Sequence, residues 1–470
     1  MKIINFIAVF VIAAFFAACN SDTSYEPADA VFSGNLTGAE NQQLYIRNET
    51  INKNDIDTIF VGADGSFSYK TFMEKPGYFT FFVGRNQMSI YMKPGDSLMF
   101  DGDIMRFEDA KFSGNSVVYN NYLRSFARTQ SEFGNMMQFL FTQPEKEAVA
   151  AMDSLRTEQM NNLLEIEKNF KRVDKNFIET EKNRIKYFWG LSHVMYPLYF
   201  NYYNSPNKFE PSPEYDNYLA ELNINDSSLI SLPEYRQFVH NYLSSKTNSY
   251  FEDSAISDAN PSFTVYQLEK IKELFTDPAV RSYLSYRVLR DHVMYDGIKD
   301  YDLIWPLFED LCKNDSFKKE ITDEIRKWDY LRPGSPAKDF AGVTIKGDSV
   351  HLSDFKGKYV YVDVWATWCK PCLGEIPDLT RIEEEMKDNN IVFISASVDR
   401  DKSEWEKMMN EREMHGVQIY VGNSRALSEF YMIKGIPRFM LFDRDGNILE
   451  VSAERPSQGV DKKLLQLEGI

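Results

Sequence analysis

KYVYVDVWATWCKPC, residues 358–372, runs from a nearly unbroken apolar stretch into two cysteines separated by two residues. An apolar run of this length and β-branched content reads as a strand buried on both faces. Cys369 then opens a helix that extends to Met386, with Cys372 one turn further on. Downstream the same alternation repeats. NIVFISASVD (390–399) reads as a strand, KSEWEKMMNEREM (402–414) as a helix, VQIYVG (417–422) as a strand and RALSEFYMI (425–433) as a helix. FMLFDRDGNILEVSA (439–453) forms a hairpin around Asp445-Gly446. Strands alternating with helices imply a central sheet covered on both faces, an α/β domain.

Two thiols at i and i+3 on a helix lie about 5 to 6 Å apart, which permits a disulfide and its ready opening. The first sits where free helix N–H groups and the macrodipole favour negative charge, and Lys370 adds a cation beside it. Cys369 is therefore the expected nucleophile and Cys372 the resolving thiol. Pro371 suits the first turn, whose N–H groups have no helical partner. A zinc site needs more ligands than one such pair; no second Cys-x-x-Cys or spaced His pair follows, and His351 and His415 stand alone. A structural staple is disfavoured because so short a loop constrains little of the unfolded chain. A peroxidase cysteine of the Pro-x-x-x-Thr-x-x-Cys type is absent, since Thr367 lies only two residues before Cys369.

With KYVYVDVWATWCKPCLGEIPDL and the lead-in GDSVHLSDFKGK, the chain from about Gly334 to its end resembles the TlpA/ResA-like thiol-disulfide reductases of the thioredoxin superfamily. The resemblance implies roles for further residues. Asp363 matches the family's buried acid behind the pair, which takes and returns the proton of Cys372. Glu375, expected in the first helical turn, matches the acid that tunes thiol ionisation. Pro437 matches the cis-proline facing Cys369, which leaves the backbone of Ile436 free to pair with an extended substrate; Trp368 and Lys370 complete the expected substrate-binding set. Arg438 departs from the frequent Thr, so the reaction transfers more readily than the substrate. The bland readings are an edge-strand acid for Asp363, a dipole partner for Glu375 and a simple turn for Pro437. An acid in an otherwise apolar strand nevertheless calls for a purpose.

At 470 residues the chain is long enough for two to four domains, and its 43% apolar content, with 35 Phe and 27 Tyr, allows well-filled cores. A formal charge of −17 argues against nucleic acid as a partner. The N-terminus reads as an export signal: Lys2, an apolar run through residues 3–18, then Cys19 after Ala17-Ala18, resembling a bacterial lipobox. The expected division is a signal peptide over 1–18, a tether over 19–27 starting at a lipidated Cys19, an antiparallel β-rich domain over 28–115, a helical region over 116–330 and a thioredoxin-like domain over 334–470. The β-rich part, with its ADGS and KPGD turns, resembles a domain of unknown function that precedes thioredoxin-like domains in envelope lipoproteins.

Between 187 and 203 the helical region concentrates Phe188, Trp189, Tyr196, Tyr199, Phe200 and Tyr202, which read either as a ligand cleft or, more simply, as bundle core. Cys312, on an apolar helix face, reads as a buried inert thiol. The expected function is a lipid-anchored envelope oxidoreductase facing the periplasm and needing no cofactor. It would reduce disulfides of exported proteins, apocytochromes c among them, with electrons from a membrane thiol-disulfide donor. The competing reading is an envelope binding or scaffold lipoprotein whose first 330 residues hold a glycan or protein, the redox domain being accessory.

Overall fold

The computed structural model describes residues 25–49, 56–170, 173–253, 255–256, 262–412, 414–422 and 425–470. The expected signal peptide, the lipidated Cys19 and most of the tether lie outside these residues. The chain divides into two compact units, Met1–Tyr218 and Leu219–Ile470. The helical stretch is thereby shared between them.

In the first unit, eight strands, β1 (Ala28–Thr37), β2 (Gln43–Asn48), β3 (Ile56–Phe60), β4 (Ser66–Met73), β5 (Gly77–Val83), β6 (Asn86–Met92), β7 (Ser97–Asp103) and β8 (Lys111–Gly114), form two four-stranded sheets. Their orders are β4-β1-β7-β8 and β3-β2-β5-β6. Every pairing is antiparallel except that of β1 with β7, which is parallel. Alternating side chains of both sheets, among them Phe32, Phe79, Phe81 and Phe100, meet in one aromatic core. Helices Val117–Leu140, Glu145–Asn169 and Lys175–Tyr203 follow. Asp174 caps the last through the N–H groups of Asn176 and Phe177, while its other oxygen accepts from Tyr25 and Tyr91. One carboxylate thus joins a helix start to β6. Within the aromatic stretch, Tyr187, Trp189 and Tyr196 are buried whereas Tyr202 is exposed, as an amphipathic helix requires.

The second unit begins with helices Pro233–Thr247, Ser249–Glu252, Phe263–Leu274, Pro278–Tyr295, Tyr301–Leu311 and Asp315–Arg326. A seven-stranded sheet follows: β9 (Ala341–Val343), β10 (Ser349–His351), β11 (Tyr359–Trp365), β12 (Ile391–Ser397), β13 (Val417–Tyr420), β14 (Arg438–Phe442) and β15 (Ile448–Glu450), ordered β10-β9-β13-β12-β11-β14-β15. β11, β12 and β13 run parallel, and β14 is antiparallel to β11. All seven residues of β11 are buried, which explains its unbroken apolar character. The helix Lys370–Glu385 is held on the sheet by Leu379 and Ile382 packing with Tyr361, Phe393 and Phe439. Each such side chain removed from water stabilises the arrangement by roughly 1.5–3 kcal/mol. The fold is an N-terminal β domain, a central helical region and a C-terminal α/β thioredoxin-like domain.

Candidate active site

The chain leaves β11 at Trp365, turns through Ala366-Thr367-Trp368 and enters the helix at Cys369. That turn is fixed by Asp399, which sequence reasoning missed. Its carboxylate accepts from the N–H and Oγ1 of Thr367 and from Oγ of Ser397, the hydroxyl contacts measuring 2.7 and 2.8 Å. Asp399 follows β12 and is itself buried, so one acid ties the ends of two adjacent strands to the cysteine turn.

Cys369 is the N-cap of the helix, and its sulfur accepts from the N–H of Cys372 at 3.2 Å. The two are joined as a disulfide, with Cα atoms 5.2 Å apart, so the structure holds the oxidised form. Both cysteines are buried against Trp365, Ala366 and Trp405. On either side of Cys369 in sequence, Trp368 is 69% exposed and Lys370 is exposed at the helix start. Ile436 packs into the same cluster, which brings a residue far downstream to the cysteine pair; the Ile436–Pro437 peptide bond is cis. Ile436 precedes β14 and belongs to no strand pairing among the described residues.

Asp363 stands two residues before the end of β11, with Ser395 of β12 and Phe439 of β14 as its lateral neighbours. It is 4% exposed, and its Oδ1 has no hydrogen-bond partner among the described residues. Burial, reinforced by Glu375 and then Glu383, pushes its carboxyl well above the ordinary carboxylate range. A carboxyl displaced in this direction binds a proton more readily than an ordinary carboxylate, which suits it to exchanging one with a thiol.

Glu375 is the sixth residue of the helix that begins at Lys370, so it lies in the second turn rather than the first. Its carboxylate is buried, accepting from the N–H and Oγ of Ser457 at 3.0 Å each, with Arg455 Nη1 at 3.8 Å. Ser457 and Arg455 follow β15 and carry no local sequence signal. Glu383, two turns further along the helix, is a further buried acid that sequence reasoning passed over. Burial pushes its carboxyl up to about 7. Its Oε1 has no partner among the described residues, and a side chain at Gly416 would approach that oxygen to 2.5 Å.

Cys312 ends the helix Tyr301–Leu311 as a free, buried thiol, and burial pushes its ionisation up. Among the described residues no group of three or more His, Cys, Asp or Glu side chains is arranged to hold a metal ion. No helix among them is long and apolar enough to cross a membrane.

Residues 332–466 match the Redoxin family model. The thiol-disulfide oxidoreductase ResA of Geobacillus kaustophilus is 30% identical over 118 residues, covering 25% of this chain and 67% of that protein. The chain belongs to the TlpA/ResA-like family of thioredoxin-fold proteins. The ResA of Bacillus thuringiensis is 23% identical over 142 residues, which span 30% of this chain and 82% of the relative. Among solved structures, the thioredoxin domain of a thiol-disulfide oxidoreductase from Bacteroides vulgatus is 32% identical, covering 29% of this chain and 99% of its own, with a TM-score of 0.27. A thiol:disulfide interchange protein from Bacteroides sp. is 30% identical, covering 29% and 90%, with a TM-score of 0.27. This TlpA/ResA-like chain is a thiol-disulfide oxidoreductase, and the matched segment contains the strand, helix and loop that meet at Cys369 and Cys372.

Proposed function

We propose that the protein reduces disulfides in exported polypeptides through Cys369 and Cys372. The observation that carries this reading is the pair at a helix start, one sulfur accepting a backbone N–H, with the buried Asp363, whose Oδ1 has no hydrogen-bond partner among the described residues, on the strand that leads into it. In the reduced form, the Cys369 thiolate attacks one sulfur of the substrate disulfide. The other substrate sulfur leaves with the bonding electron pair and takes up a proton. The Cys372 thiol gives its proton to the carboxylate form of Asp363, attacks Sγ of Cys369 and expels the second substrate sulfur, which is protonated in turn. Two electrons pass from the dithiol to the substrate, and the protein is left as the disulfide seen here.

Glu375, held by Ser457, sets the field in which these protons move. Ile436, Pro437, Trp368 and Lys370 form the contact surface for the substrate. The dithiol is restored by a membrane-bound donor that itself carries a dithiol. The sequence of residues 1–19 supports export and lipid attachment at Cys19, placing the redox domain in the periplasm. The division at 28–115, 116–330 and 334–470 belongs to the same proposal.

The test is insulin-disulfide reduction by the full chain in the presence of a thiol donor. Cys369→Ser is expected to lose the activity, and a variant as active as the parent would sink the reading. Direction of electron flow is tested with Cys372→Ser expressed in cells: trapped exported proteins indicate reduction of substrates. Capture of an oxidising partner alone indicates the opposite direction.

A further inference from the structure

The segment 292–299, which ends one helix of the second unit and enters the next, is fastened to the loop and strands beside the cysteine pair. Arg438, directly after Pro437, is buried and donates from Nη2 to the carbonyl of Tyr295. That carbonyl belongs to the last turn of the helix Pro278–Tyr295, where backbone acceptors lack helical donors and the macrodipole favours a cation. Asp296 accepts from Ser452 Oγ at 3.0 Å, and Lys299 pairs with Glu454 at 3.3 Å.

The segment is also tied down internally. His292 bonds Thr264 at 2.9 Å and the Lys299 carbonyl at 2.8 Å. Gly297 has φ +70, and any side chain there would strike the Trp328 ring, about 2.5 Å away. The outcome is a positioned aromatic ring. Tyr295 is 51% exposed, and its ring comes within 3.7 Å of where a Cβ on Gly435 would stand. Gly435 is followed by Ile436, which packs against the apolar cluster that holds Cys369 and Cys372.

We propose that Tyr295, held in place by Arg438, is a specificity-determining wall of the substrate groove, contributed by the helical region and selecting an aromatic or large aliphatic side chain next to the substrate cysteine. The inference rests on the proposed reduction of polypeptide disulfides. An extended substrate paired with the backbone of Ile436 runs past Gly435, and a side chain one or two residues from its cysteine then meets the Tyr295 ring. Directly before the nucleophile in sequence stands the exposed Trp368. Two aromatic walls about a backbone-pairing loop suit an unfolded, cysteine-bearing polypeptide with apolar flanks, the kind of segment a folded protein would bury.

The test uses the reduced full chain and two synthetic disulfide peptides that differ only beside the cysteine, one with Phe and one with Ser. The parent protein is expected to prefer the Phe peptide by about tenfold in kcat/KM, chiefly through KM. Tyr295→Ala should bring the two within about twofold of each other, while Tyr295→Phe keeps the preference. An unchanged preference in Tyr295→Ala, or none in the parent, overturns the inference while leaving the proposed reaction intact. Failure of the parent to reduce either peptide overturns both. Should Tyr295→Ala not fold, hydrogen exchange decides the matter: in the Cys372→Ser protein trapped as a mixed disulfide with the Phe peptide, amides of residues 292–297 should exchange more slowly than in the free protein. No added protection there overturns the inference.

Discussion

Replacing Glu383 with Gln removes the ionisable group from a buried acid on the helix that carries the cysteine pair. Its carboxyl moves from an ordinary 4.5 to about 7 because burial disfavours the charged form. Between those two pH values the folded chain retains a proton that the unfolded chain has released. Stability is therefore complete below pH 4.5 and is lost as pH rises towards 7. At ~1.36 kcal/mol per pH unit, the displacement amounts to about 3 kcal/mol. Glu383→Gln keeps the shape and carries no charge at any pH, so parent and variant should be equally stable near pH 4 and differ by about 3 kcal/mol in favour of Gln at pH 8. Hydrogen exchange of β11 and β12 amides in the full chain, compared at matched pH, reads this difference locally. A gap that stays constant between pH 4 and 8 would refute the reasoning, since a packing change has no reason to follow protonation. Because Glu383 also helps hold the Asp363 proton on, the same variant should shift the midpoint of the pH–rate profile for disulfide reduction to lower pH.

Asp363→Asn should slow peptide-disulfide reduction by about 10²-fold or more by removing the proton acceptor for Cys372, measured as single-turnover rates of the reduced protein. Because the Asp363 carboxyl is held above the ordinary range, the Asn variant should also gain stability relative to the parent as pH rises above about 4, read from thermal melts across pH. Thr367→Val removes the 2.7 Å bond to Asp399 and leaves a buried carboxylate short of a donor, which should cost about 1–3 kcal/mol in denaturant unfolding. Ser457→Ala deletes one of two hydrogen bonds to Glu375 and should cost about 1.5–3 kcal/mol, while shifting the pH dependence of thiol alkylation at Cys369. In the reduced native protein, Cys312 should react with a thiol reagent more slowly than Cys369, burial holding its sulfur back from ionising; equal rates, followed by peptide mass analysis, would contradict its burial.

The legible part of the site lay where local pattern and chemistry coincide. KYVYVDVW announces a fully buried strand because its apolar residues do not alternate, and an acid inside such a run stands out for the same reason. The cysteine pair is legible because a short spacing at a helix start already implies thiol chemistry. Glu383 was not legible: it opens the run Glu383-Glu384-Glu385, in which Glu384 and Glu385 are exposed and only Glu383 is buried. Which of the three turns inward depends on the position of the helix over β11 and β12. Glu375 was found by its motif, but its turn was assigned one early: it is the sixth residue of the helix, beyond the first turn.

Residue order by itself determined the α/β character of the C-terminal domain, the strand-to-helix junction at Cys369, the β-rich start and the helical middle. Each of these is written in periodicities of two or 3.6 residues and in turn chemistry, all of them short-range. Only the tertiary structure decided that β1 pairs with β7 in parallel and that the helical stretch divides between two compact units. It alone also brought Asp399 to Thr367, Ser457 to Glu375 and Tyr295 to Gly435. Those associations join residues tens to more than a hundred positions apart. They follow from sheet register, buried hydrogen bonds and the need of a helix end for a cation, to which no local pattern refers.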